Sequence, residues 1–95
     1  MRFEWDEAKN RSNRQKHGIA FDLAIEVFGD PFCMTIPDAD LEIEQRLWTI
    51  GRISDLTVIV VVHTLHDDQG EEIVRVISAR KATPRERGAY EEADE

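Results

Sequence analysis

Arg75-Val76-Ile77-Ser78-Ala79-Arg80-Lys81-Ala82-Thr83-Pro84-Arg85-Glu86-Arg87-Gly88-Ala89-Tyr90 reads as a strand that turns directly into a helix. Val74, Val76 and Ile77 are β-branched, which suits a pleated strand. Thr83-Pro84-Arg85-Glu86 is a helix start. The threonine can cap backbone N–H groups, the proline takes the first helical position, and the glutamate falls where a capping box needs it. Five cations, Arg75, Arg80, Lys81, Arg85 and Arg87, face only one anion here, Glu86. A solvated strand end and helix face is one account of them. A phosphate site at a sheet edge, with Tyr90 beside it, is the other.

The 95 residues around this stretch support one domain, 1–95, with one core. The longest apolar run, Leu56 to Val62 with Thr57 inside it, is far shorter than the ~20 residues of a membrane span. Met1-Arg2-Phe3-Glu4-Trp5-Asp6 has no apolar signal region. A cytoplasmic protein with no membrane partner is expected. Cys33, the one cysteine, rules out an intrachain disulfide and reads as a small core residue.

A net charge of −8 argues at first against nucleic acid. Its distribution changes that. Residues 1–21 carry five cations and three anions, and residues 22–72 two cations and twelve anions. Residues 73–90 carry five cations and one anion, and residues 91–95 four anions. Two basic ends therefore flank an acidic middle. The first can meet phosphate while the second attracts a basic protein.

In chain order, Phe3-Glu4-Trp5 is a short strand and Asp6 caps a polar helix to about Lys16, stopped by Gly18. That helix has little apolar stripe beyond Ala8, so its packing must come from its ends and stems. His17 lies at its C-terminus, where the macrodipole favours an imidazolium. Asp22 starts a second helix whose apolar face is Phe21, Ala24, Ile25 and Phe28, ended by Gly29-Asp30-Pro31. Phe32 to Ile36 is a strand, Pro37 to Asp40 a turn, and Glu44 to Ile53 a strand with Arg46, Trp48, Ile50 and Arg52 on one face. Thr57 to Leu65 is a central strand, His66-Asp67-Asp68-Gln69-Gly70 a hairpin loop, Glu72 to Ala79 the last strand, and Thr83 to about Glu92 the last helix. The expected class is α+β, with an antiparallel four-stranded sheet, a short N-terminal strand besides, and helices on one sheet face.

Metal and nucleophile signatures are weak. His63 and His66 are three apart, which points them to opposite strand faces and suits a metal poorly. Phosphate-binding glycine loops and a nucleophile elbow are absent, and Asp38/Asp40 and Asp67/Asp68 sit in turns. No metal and no cofactor is expected. What remains is Arg, Lys, His and Tyr, and metal-free RNA cleavage needs little more: a base for the 2′-hydroxyl, a cation for the phosphorane and an acid for the leaving oxygen.

With those residues in place, the chain resembles the BrnT family of type II toxin–antitoxin ribonucleases. The resemblance rests on Phe3-Glu4-Trp5-Asp6-Glu7-Ala8-Lys9-Asn10, Asn13, Lys16-His17-Gly18-Ile19, Phe21, Ala24 and Phe28-Gly29-Asp30-Pro31 at the front. It continues through Glu44, Arg46 and Ile50-Gly51 to Arg75-Val76-Ile77-Ser78-Ala79-Arg80-Lys81-Ala82, Glu86-Arg87 and Tyr90. It implies a RelE-like fold, RNA cleavage that halts translation, and a BrnA-type antitoxin through which the pair binds promoter DNA. It implies a site on the sheet, matching Arg46, Arg75, Arg80 and Tyr90, with His17 and Lys16 as neighbours. Arg75 and Arg80 would bind phosphate, and His17 or Tyr90 would move the proton. Lys9, Lys16, Lys81 and Arg87 would contact RNA. Strand alternation puts Arg75 and Arg80 on opposite faces unless the strand ends or bulges between them. The alternative function is a non-catalytic module that binds a partner protein within a DNA-bound regulatory complex.

Overall fold

In the computed structural model of the chain, residues 1–38 and 46–93 are described. The elements are β1 (Arg2–Glu4), α1 (Glu7–His17), α2 (Phe21–Ala24), a 3₁₀ segment (Ile25–Gly29), β2 (Met34–Pro37), β3 (Arg46–Arg52), β4 (Val58–Asp68), β5 (Glu71–Lys81) and α3 (Pro84–Ala93). The expected strand residues Glu44 and Gln45, the turn residues Ala39 and Asp40, and the tail residues Asp94 and Glu95 lie outside the described residues.

The long β4–β5 hairpin centres a five-stranded sheet of order β1-β5-β4-β3-β2. The expected five-residue loop is corrected: the ladder runs on to Asp68↔Glu71, leaving a two-residue turn. Gln69 and Gly70 both have positive φ, 53° and 88°, the geometry that matches the twist of a tight hairpin. β2 to β5 are antiparallel as expected, but the sheet has five strands rather than four. β1 joins β5 in parallel, Arg2 against Ile73 and Glu4 against Arg75, so the sheet is mixed. The rule that short loops join antiparallel neighbours says nothing about a strand whose partner lies some seventy residues on.

Two capped helices begin and end as the sequence reads. Asp6 accepts from the N–H groups of Ala8 and Lys9, and Gly18 closes α1 at φ 74°. Thr83 and Glu86 form the reciprocal box, with Thr83 N–H donating to Glu86 and Glu86 N–H to the threonine hydroxyl. The second helix is shorter than expected. After Ala24 it tightens into the 3₁₀ segment, and its buried residues become Phe21, Ala24 and Val27. At three residues per turn, positions i and i+3 stack directly over one another, so Val27 replaces Phe28 at the fully buried position.

α1 docks through amides rather than an apolar stripe. Asn13 is 7% exposed, donates to the carbonyls of Ala79 and Ile19, and accepts from the Ala79 N–H. β1 covers β5 only at residues 73–75, so this side chain completes the hydrogen bonding of the uncovered edge. Asn10 accepts from Phe21 N–H and so fixes the start of α2.

Helices lie on both faces, which corrects the one-face expectation. The inner face packs Ile59, Val61, Val74, Val76 and Ala79 against Phe21, Ala24 and Val27. On the outer face Ile50, Val58 and Val60 meet Tyr90 of α3. Gly51 lets the 3₁₀ segment press on β3: a Cβ there would lie 2.5 Å from a Val27 methyl. Cys33 is partly buried in this region, and burial pushes its thiol above the usual value.

Candidate functional site

The outer face is a grid that strand register makes legible. One row is Arg46, Thr64 and Arg75, the next Trp48, Val62 and Ser78, and the next Ile50, Val60 and Arg80. Val62 pairs with Ser78 and His63 with Val76, so Ile77 has no partner opposite it. That extra residue is the bulge that alternation required. It turns Arg75 and Arg80 onto one face, together with Arg46 and Trp48. Arg46 and Arg75 stand two strands apart, with Cα atoms roughly 10 Å from each other.

The arginines differ in how tightly they are held. The Arg80 guanidinium lies over the Trp48 ring, 5.4 Å from its centroid. It also donates to both oxygens of Glu86, at 2.7 and 3.0 Å. This paired bond from Arg80 is the main force holding the Glu86 carboxyl down at about 2, and Glu86 in turn raises Arg80. Arg75 meets Glu4 at 3.4 Å, with both side chains more than a third exposed. Such a pair exchanges readily with solvent or another anion.

Tyr90 packs on this same face, against Ile50 and Val60 of the Arg80 row, but its hydroxyl is committed to another partner. It is 1% exposed and donates to Asp30 at 2.5 Å, with the Arg52 guanidinium 5.4 Å over its ring. Burial pushes the Asp30 carboxyl up, but hydrogen bonds from Tyr90 and from the Arg52 and Phe32 N–H groups outweigh it, and its pKa is lowered. The group ties α3, the end of β3 and the chain after the 3₁₀ segment into one corner. His17 ends α1, one turn beyond Asn13. Four residues of helix put it about 6 Å along α1 from Asn13. Lys9 and Lys16 are exposed on α1, Lys81 ends β5, and Arg87 is exposed on α3, 3.9 Å from Glu91. Strand register therefore puts Arg46, Arg75 and Arg80 on one face, with Arg80 two rows from the other two and Tyr90 packed beside its row, while His17 ends α1.

Three members of this face were not singled out as site residues from sequence. Trp48 was legible on the Arg46 face but carried no role. Glu86 was read only as a cap. His66 was assigned to a loop, whereas β4 carries it, exposed, onto the outer face next to Thr64. The concavities lie around this grid. A pocket of about 120 Å³ opens beside Trp48, walled by Met34, Ile36, Glu86 and Ala89. A groove of about 930 Å³ runs along the 3₁₀ segment past Phe3, Ile25, Phe28 and Phe32, away from the three arginines. Among the described residues no three His, Cys, Asp or Glu side chains cluster as a metal would need. No helix among them is long and apolar enough to cross a membrane.

A small α+β protein with this sheet matches the ribonuclease toxins of type II toxin–antitoxin systems. The profile described as "Ribonuclease toxin, BrnT, of type II toxin-antitoxin system" covers residues 5–86, and the chain belongs to that family. Among solved structures it is similar to the Brucella abortus ribonuclease toxin BrnT. The two are 35% identical with a TM-score of 0.65, over 87% of this chain and 97% of that one. Comparison with curated protein sequences finds no match.

Proposed function

We propose that the chain is a metal-independent endoribonuclease that works on the outer face of its sheet, halts translation in the cytoplasm and is neutralised by a BrnA-type antitoxin. One observation carries the assignment of the face: the unpaired Ile77, which puts Arg75 and Arg80 on the same face as Arg46. The 2′-hydroxyl oxygen attacks the adjacent phosphorus. The O2′–P bond forms, the P–O5′ bond breaks, and the products are a 2′,3′-cyclic phosphate and a 5′-hydroxyl. O2′ gives up its proton to a base and O5′ receives one. Arg46 and Arg75 hold the phosphate from either side of Thr64, and Arg80 takes up charge on the phosphorane. Lys9, Lys16, Lys81 and Arg87 extend the contact along the strand of RNA, and promoter DNA is met only through the antitoxin.

The test is cleavage of a defined RNA by purified protein in excess chelator, with the product ends mapped. Cleavage should persist, and Arg46→Ala and Arg75→Ala should each slow it by roughly 10²-fold. RNA left intact, or variants as active as the parent, would sink the proposal. A second reading, a docking module without catalysis, draws on the Arg80–Glu86 pair, which already occupies the guanidinium. Toxicity unchanged in Arg80→Ala together with intact RNA would favour it.

A further inference from the structure

Cleavage as proposed needs a group that changes protonation near neutral pH, on the same face as the phosphate and open to it. Imidazole is the side chain suited to that range. Of the three histidines, His63 is 1% exposed on the inner face, bonded through Nε2 to Thr49 and edge-on to Phe28. His17 ends α1 rather than lying on a strand. His66 alone projects from the outer face. It stands two residues along β4 from Thr64, roughly 7 Å from the row that carries Arg46 and Arg75. It is exposed, and no hydrogen bond or ion pair engages it among the described residues.

Charged groups of the neighbouring strands lie near it among the described residues. Asp68 follows on β4, Glu71 and Arg75 lie on β5, Arg2 and Glu4 on β1, and Arg46 on β3. Among the described residues, three carboxylates on this face are paired with an arginine: Asp68 and Glu71 with Arg2 at 3.4 and 3.3 Å, and Glu4 with Arg75 at 3.4 Å. None of them is bonded to the imidazole. The ring stands one row along β4 from Thr64, the residue flanked by Arg46 and Arg75.

We infer that His66 is the general base of this face, a catalytic residue that takes the O2′ proton as the O2′–P bond forms. The inference rests on the ribonuclease reading above and names a group for one of its steps. The imidazolium so formed returns its proton to solvent or to the departing O5′, and the charge balances. The guanidinium groups nearby hold the phosphate in line, so base and anion sites are separate side chains on adjacent rows.

The experiment compares the pH–rate profile and RNA affinity of the full-length protein with those of His66→Gln and His66→Ala, adding free imidazole to the alanine variant. His66→Gln should lower kcat by about 10²-fold or more and leave RNA affinity within about threefold. The acidic limb of the profile should disappear, and imidazole should restore activity to His66→Ala in proportion to its unprotonated form. A merely structural histidine would not be rescued. Circular dichroism should match the parent, since the side chain is exposed. Cleavage by parent and His66→Gln alike, with the same profile, overturns this inference alone. A loss confined to RNA affinity also overturns it and makes His66 a binding residue. RNA left intact by the parent overturns this inference and the ribonuclease reading together.

Discussion

His63 and His66 stand three residues apart on one strand and meet opposite conditions. Around His63 the polar contacts are buried and fixed within the protein: Thr35, Thr49 and Nε2 of the ring form a chain at 2.8 and 2.7 Å, Nδ1 is buried without a hydrogen-bond partner among the described residues, and Asn13 closes the strand edge nearby. Around His66 the polar groups are half-exposed ion pairs at 3.3 to 3.4 Å. A buried polar contact cannot be exchanged without stranding its partner, whereas an exposed ion pair can trade its carboxylate for another anion. The inner face therefore fixes the fold, and the ion-paired end of the outer face around His66 can exchange partners. Removing a polar side chain should cost stability on the first and activity on the second. Asn13→Ala is the sharpest break of this contrast. It strands the N–H and the carbonyl of Ala79 and the carbonyl of Ile19. At ~1–3 kcal/mol per orphaned buried group, partly relieved by water, a loss of roughly 3 kcal/mol is expected in urea denaturation. A loss below about 1 kcal/mol would mean that the helix α1 is held by something other than its amide.

The next largest effect is a pH dependence that belongs to the inner face. Burial lowers the pKa of His63 below its ordinary value, so the fold favours the neutral ring. The unfolded chain then binds the extra proton more readily. The stabilisation from the neutral ring is complete above about pH 6.5, the unfolded value, and is lost as pH falls from there through the folded pKa. The slope from this one group cannot exceed about 1.4 kcal/mol per pH unit. Glu86 adds a separate loss at lower pH, between the ordinary glutamate range and its folded value of about 2. Denaturation midpoints measured from pH 8 to 5 should fall in the parent and stay flatter in His63→Leu relative to its own pH 8 value. Equal slopes in the two proteins would remove His63 as the cause.

Much of this architecture was legible before any coordinates. Period-two alternation places Arg46, Trp48, Ile50 and Arg52 together, and cap chemistry marks Asp6, Gly18, Thr83 and Glu86. These are local rules acting on local residues. The bulge was not legible, because one extra residue among Val76, Ile77 and Ser78 leaves every position compatible with a strand while reversing the face of all that follows. Likewise the polar run His66-Asp67-Asp68 looks like a loop, and only its hydrogen bonds to β5 make it strand. The side on which α3 lands is set by a two-residue connector, Ala82-Thr83, and by the fit of Tyr90 against Val58 and Val60. The three arginines share the outer face through the bulge, whereas the commitment of the Tyr90 hydroxyl to Asp30 joins residues sixty apart and has no local signal.

The smallest effect on stability should come from the outer face, at Glu4. Its carboxylate meets the Arg75 guanidinium at 3.4 Å, with side chains 38% and 45% exposed, so the pair is solvent-screened. Glu4→Gln should change stability by less than about 0.5 kcal/mol. If RNA phosphate competes with this carboxylate for Arg75, the same change should tighten RNA binding. The gain is bounded at about fivefold, the equivalent of ~1 kcal/mol for an exposed pair. Arg75→Ala should do the opposite, weakening binding and making its logarithmic salt dependence shallower by about one phosphate contact. Fluorescence anisotropy on a labelled RNA across a salt series reads both. Weaker binding by Glu4→Gln would make the carboxylate a positioner of the arginine rather than its competitor, and the exchangeable character of the outer face would no longer hold at this pair.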